Sequence, residues 1–417
     1  MQQSRVRDES TAAQKQARQL HQPGLKAMST QQPPKMSEKA MGEFPIMEEK
    51  PGNIVLFHPH IPAAAIDAVT KVLESRWIGQ GPLVDEFERK FCARFAGDHP
   101  TLAVRSGTDA LHLAYILADL HPGDEVISPL FTCTATNMPL LYLGVKLIFA
   151  DVQPDTLNLD PVDVRRRITE RTKAIVCIHH AGLPSDMAEL RGIAGEYGLK
   201  LVEDAAHALG ATYRGQTIGQ ISDFTTFSFA AVKNITTGDG GMLIMRDASL
   251  LDKARRLRSA GIDRKAKQAG NWENDIFEIG YRYQTSDIAA AIGLAALDEF
   301  DEVLAHRRGL LEQYERELVK IAGLSFIGAR RQDRSHSAWM CTVLVERREV
   351  LQKKLREQNI ESSQVHYRND RYSIFGGRRD DFPNMDAVED KYLHLPLHTR
   401  MNGFDVARIC STIRAGW

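Results

Sequence analysis

From Ile54 onward the chain alternates two patterns of apolar and polar positions. Short, nearly unbroken apolar runs at 102–104, 124–129, 146–149, 174–178, 201–204, 224–229 and 242–245 read as strands. Between most of them lie segments with apolar residues at helical spacing, at 63–73, 83–95, 110–120, 131–143, 161–168 and 187–197. Strands without a polar face must be covered on both sides. The alternation therefore predicts an α/β fold, a mostly parallel sheet between helices. In such sheets ligands collect beyond the carboxyl ends of the strands.

After Met245 the pattern changes. A cationic helix at 250–259, a polar loop at 261–275 and an apolar helix at 288–297 precede a long charged helix at 298–320. A strand at 339–345, a helix at 349–359, a polar aromatic loop and a helix at 404–413 then read as a smaller α+β domain. Residues 1–51 are rich in Gln, Lys, Ser, Pro and Met without periodicity, and are expected to be a disordered leader. The expected division is 52–300 for the large domain and 301–417 for the small one.

Composition narrows the function. With 53 Lys and Arg against 54 Asp and Glu, the net charge of -1 provides no field toward nucleic acid or membrane. The five cysteines are scattered, odd in number and without metal-ligand spacing, which predicts reduced thiols and no metal site. No apolar run approaches the roughly 20 residues of a membrane span, and no secretory h-region opens the chain. A cytoplasmic protein is the expectation.

The chemistry concentrates at 201–245. A strand ends in Glu203 and Asp204, His207 follows, and after the strand at 224–229 comes Lys233 among Ala230, Ala231, Val232 and Ile235. Poor solvation lowers a lysine's pKa and leaves a nucleophilic amine. An acid at a strand end with such a lysine is what pyridoxal phosphate (PLP) requires: a Schiff-base amine, and a carboxylate that keeps the pyridine nitrogen protonated. Upstream, Ser106-Gly107-Thr108 lies between a strand and a helix, presenting backbone N–H groups to an anion. The alternatives are a surface lysine, a capping Asp and an ordinary N-capped helix.

Several motifs tie these residues together: Trp77-Ile78-Gly79-Gln80-Gly81-Pro82, Ser106 to Leu111, Pro122 to Ile127, Glu203 to Gly210, Ser228 to Gly238, Gly280 to Asp287 and Leu395-Pro396-Leu397-His398. In this order the chain resembles the DegT/DnrJ/EryC1/StrS family of sugar aminotransferases, PLP-dependent transferases of fold type I with a seven-stranded sheet. The resemblance implies Lys233 as the Schiff-base lysine and proton carrier, and Asp204 as the pyridinium partner. It places Ser106, Gly107, Thr108 and Ser228 at the cofactor phosphate. His207 matches a contact to the ring hydroxyl, though it reads equally as a helix-face histidine without a ligand.

Three departures qualify the match. Cys133 stands where many relatives place an aromatic over the ring, and a helical Phe131 would point elsewhere. Arg282 and Gln284 occupy candidate positions for an Asn that reaches the phosphate of a partner subunit's cofactor. The stretch with His366, Tyr367, Arg368 and Arg371 mixes cations with aromatics, as a nucleotide diphosphate site or a solvated loop would. The expected function is transfer of an amino group, with glutamate as donor, to a nucleotide-linked keto sugar in surface polysaccharide or glycoside biosynthesis. A homodimer with shared active sites is the expected assembly. The rivals are a PLP-dependent sugar dehydratase, which replaces the lysine with histidine, and a non-catalytic protein of the same fold.

Overall fold

The seven apolar runs form one sheet in the computed structural model, which describes residues 45–273, 275–329 and 331–417. Its strands are β1 (Thr101–Val104), β2 (Glu125–Pro129), β3 (Lys146–Ala150), β4 (Thr172–Ile178), β5 (Lys200–Asp204), β6 (Phe224–Ser228) and β7 (Gly241–Met245). They lie in the order β1-β7-β6-β5-β4-β2-β3. Every pairing is parallel except those of β7, which runs antiparallel to both neighbours.

Alternation along the strands builds two cores. Ala103, Ile175, Cys177, Leu201, Met242 and Ile244 face one way, toward apolar residues of Pro82–Phe91, Met187–Tyr197 and Asp287–Asp298. Leu102, Val104, Ala174, Val176, Val202, Leu243 and Met245 face the other way, toward Gly107–Leu117 and Leu251–Arg258. Burial on both faces is the physical reason that these strands lack polar positions.

A second, antiparallel sheet of β8 (Leu324–Phe326), β9 (Cys341–Val345) and β10 (Tyr392–Leu395), in that order, carries the C-terminal core with helices Arg348–Glu357 and Gly403–Arg414. Helix Phe300–Glu317 joins the two parts: Phe300 and Leu304 pack in the large core, Leu310, Leu311 and Tyr314 in the small one. The apolar and charged helices expected at 288–297 and 298–320 are Asp287–Asp298 and Phe300–Glu317, separated by Glu299.

Two local expectations are corrected. The helix expected at 131–143 starts later, at Thr134–Tyr142, because Phe131–Thr132 is a short strand paired with Tyr367–Arg368. The partner lies far along the chain, so no local pattern announces it. The leader expected at 1–51 largely lies outside the described residues, yet its end packs on the body. Met47 is buried, its N–H donates to Glu361 Oε1 at 3.1 Å, and the other oxygen of Glu361 accepts from Leu56 N–H at 2.8 Å. Glu49 pairs with Arg400 at 2.7 Å, and Ile54 bridges to Ile360 within the C-terminal core.

Candidate active site

Strand β5 decides which of its two terminal acids is available. Successive side chains on a strand point to opposite faces. Glu203 is consumed on its side: it holds His179 Nε2 at 2.8 Å and accepts from Ser222 N–H and Thr225 Oγ1 at 3.2 Å. Asp204 is on the other face, buried, with Oδ2 accepting from Thr136 Oγ1 at 2.7 Å and Oδ1 from Ala206 N–H at 3.1 Å. Thr132 Oγ1 lies 2.7 Å behind Thr136 Oγ1 and extends the chain of hydroxyls. Burial raises the Asp204 carboxyl, against the pull of Thr136, Ala206 and Lys233. Among the described residues no cation forms an ion pair with it.

Beyond β6 the chain turns through residues 230–240, and this loop carries Lys233. The loop is pinned at several points: Lys233 N–H to Ala230 O at 3.0 Å, Thr237 N–H to Phe229 O at 3.0 Å, and Asn234 Nδ2 to Ser337 O at 2.8 Å. Desolvation brings the Lys233 amine down to about 8, with Asp204 and Cys133 pulling the other way. An amine so placed is far more often uncharged at neutral pH than a surface lysine.

Next to these two, β1 delivers the chain to the helix Gly107–Leu117, capped by Ser106 Oγ on Asp109 N–H at 3.1 Å. The N–H groups of Gly107 and Thr108 have no acceptor among the described residues. Only glycine fits at 107, since a Cβ there would lie 2.8 Å from Ser228 Cβ. Ser228 and the helix N-terminus are therefore in close contact.

The remaining expected residues divide. His207 lies in a turn after β5 rather than on a helix, buried, with His366 stacked on it at 5.2 Å and the two Nε2 atoms 3.4 Å apart. Burial, and then Lys233, lowers both imidazoles, His366 to about 3. Cys133 is half-buried at the start of helix Thr134–Tyr142. Phe131, being on a strand, packs against His180 and Tyr392 instead. Tyr367 is half-buried with the guanidinium of exposed Arg371 4.4 Å over its ring.

Arg368 is the clear correction. It is fully buried, bidentate to Asp370 at 2.6 and 2.7 Å, and bonded also to Asp386 and to Glu389 at 3.4 Å. Its guanidinium is consumed by carboxylates and has nothing to offer a nucleotide. Gln284 donates to Gln80 Oε1 at 3.1 Å in its own chain, whereas Arg282 is exposed. Trp339 was not anticipated: it lies against Lys233, and its only local mark is an apolar position at the edge of a predicted strand.

The architecture is that of the PLP-dependent transferases of fold type I, a class defined by a mostly parallel seven-stranded sheet with its site at the strand ends. The chain belongs to the DegT/DnrJ/EryC1/StrS aminotransferase family, whose model matches residues 59–414. It is 36% identical to the spore coat polysaccharide biosynthesis protein SpsC of Bacillus subtilis, over 85% of this chain and 95% of that one. It is 32% identical to the GDP-perosamine synthase of Escherichia coli O157:H7, over 86% and 97%. The PLP-form of Spr1654 from Streptococcus pneumoniae superposes with a TM-score of 0.81 at 28% identity, covering 87% of this chain and 98% of that one. No described helix is long and apolar enough to cross a membrane.

Proposed function

We propose that this protein uses PLP to move an amino group from glutamate to a keto sugar carried on a nucleotide, for polysaccharide or glycoside synthesis. One observation carries the reading: a desolvated lysine amine and a buried acid with no ion pair among the described residues meet at the strand ends beside an anion cradle. The residues fit the cofactor. Lys233 would hold it covalently, Asp204 would face its ring nitrogen, His207 its ring hydroxyl, and Cys133 would lie against the ring. Gly107, Thr108, Ser228 and the Ser106 cap would hold its phosphate. Bound PLP supplies an electron sink that stabilises negative charge developing on a substrate carbon.

Within that frame the protein groups do the positioning and the proton transfer. Lys233, with a pKa near neutrality, accepts a proton from the donor's α carbon and returns one to the sugar carbon in the second half of the cycle. Asp204, whose pKa burial raises, would be kept ionised by a cation held against it. His207 and His366, held neutral, can accept or donate a hydrogen bond without adding charge beside the amine. His366, Tyr367 and Arg371 are the candidates to meet the nucleotide sugar, the Tyr367–Arg371 pair offering a stacking face and a cation. The presence of Lys233 rather than histidine speaks against the dehydratase reading. Purified protein given PLP and glutamate, with no sugar, should release one 2-oxoglutarate per bound cofactor, measured by coupled assay. Absence of that release with PLP bound would refute the reading.

Assembly as a homodimer with shared sites is part of the same proposal. Supporting it are exposed apolar side chains on the segment after the Lys233 domain core, Trp272 at 74%, Phe277 at 70% and Ile279 at 84% exposure. With Gln284 engaged by Gln80, Arg282 is the better candidate to reach a partner's cofactor phosphate. Mixing Lys233→Ala chains with Arg282→Ala chains tests it. Subunit exchange should restore part of the lost activity, and exchange shown by mass without any recovery would rule out sharing.

A further inference from the structure

The Lys233 loop is closed from the C-terminal side by residues 336–340. Ser337 N–H donates to Gly182 O at 2.9 Å, Met340 N–H to Ala181 O at 3.1 Å, and Ser337 Oγ to His207 O at 2.5 Å. Gly182, at φ 104°, is what permits the approach, since a Cβ there would meet Ser337 Oγ at 2.1 Å and His207 O at 2.9 Å. Docked this way, Trp339 is 2% exposed and lies against the site. The Lys233 Nζ lies 3.6 Å from its ring centroid. Its indole N–H donates to the carbonyl of Val232, the residue before Lys233, at 2.8 Å. The His207 imidazole stacks on it at 3.8 Å and 21°.

We propose that Trp339 is a positioning residue for Lys233: its ring face seats the free amine, and its N–H fixes the backbone from which the lysine side chain extends. The inference rests on the reading of Lys233 as the reactive lysine. The indole quadrupole attracts an ammonium and does little for a neutral amine, so it opposes desolvation and favours the proton. A carboxylate in its place would hold that proton too firmly for a base near neutral pH, and an aliphatic side chain would not hold it at all. The other groups facing the amine are Asp204 and Cys133, which also favour its charge, and His207 and His366, both neutral. Trp339 thus gives Lys233 a defined place to wait whenever it is not bonded to the cofactor, next to the imidazole that it also orders.

The test is a titration of Lys233 in the protein without PLP. Reductive methylation across a pH series, quantified on the Lys233 peptide by mass spectrometry, yields the amine's pKa. Trp339→Leu is expected to lower it by about one unit, the size of a desolvated cation–π contact, and Trp339→Phe by less. Should the leucine variant fail to fold, biosynthetic replacement of tryptophan by mono-, di- and trifluorinated forms keeps the ring's shape while weakening its quadrupole. The chain has four tryptophans, and among the described residues only Trp339 lies over Lys233, so the pKa should fall stepwise with fluorine content. A Lys233 pKa unchanged through the fluorinated series would overturn the proposal. Borohydride fixation of PLP to some other lysine in the wild-type protein would instead overturn the functional reading on which it rests.

Discussion

Lys233→Ala protein is expected to retain PLP only non-covalently and to lose transamination by roughly 10²–10⁴-fold from the missing proton transfer alone. The size follows from the site's construction. Lys233 is the amine brought down to about 8 at the strand ends, and the groups around it are acids, a thiol and neutral imidazoles, none of which can replace a basic nucleophile. Retention of the cofactor follows as well, because Asp204 and Ser228 end strands, and Gly107 begins a helix, that the substitution does not touch. Single-turnover release of 2-oxoglutarate measures the rate, and borohydride reduction with peptide mapping locates the bond. A borohydride label appearing on a different lysine, or a rate within tenfold of wild type, would remove Lys233 from its role.

Arg368→Ala should cost about 3–5 kcal/mol of folding stability while leaving the KM for a nucleotide sugar nearly unchanged in the folded fraction. The reason is the company of the guanidinium. Arg368 and Asp370 are both 0% exposed, so truncation leaves a buried carboxylate with no cation. Asp386 and Glu389 lose the same partner, and Arg379 O loses a donor at 3.1 Å. The backbone at Arg368 also pairs with Phe131, two residues before Cys133, so loosening this corner reaches the edge of the site. Urea unfolding monitored by circular dichroism gives the stability, and steady-state kinetics at low temperature gives the KM. A large rise in KM with unchanged stability would return Arg368 to the substrate.

The two results together separate what chemistry and packing each ask of a charged residue. Lys233 and Arg368 are both cations in stretches that carry expected site residues. One is desolvated and makes no ion pair among the described residues, Asp204 pulling only in part against burial, so its pKa falls. The other is saturated by three acids, two of which lie 18 and 21 residues further along the chain. Asp370, two residues away, is a local partner of Arg368, but saturating the guanidinium takes Asp386 and Glu389 as well. That distinction is made by which distant carboxylates the fold brings near.

What the sequence by itself determined is the architecture and the places of Asp204 and Lys233 in it. Unbroken apolar strands separated by amphipathic helices specify a sheet covered on both faces, because burial of an element's faces is written in its own periodicity. The places of the two residues were legible for the same reason: Asp204 ends one strand and Lys233 lies in the loop just beyond another, so position along the chain is position in space. The tertiary structure decided the rest. It turned Glu203 away to His179, which the alternation of a strand implies but which two adjacent acids conceal. It made Phe131–Thr132 a strand through Tyr367–Arg368, drew Met47 onto Glu361, and set Trp339 against a loop 107 residues earlier. Each of these is a meeting of segments far apart in the chain. Local pattern encodes how much of a side chain is buried, and only the packed whole decides against what.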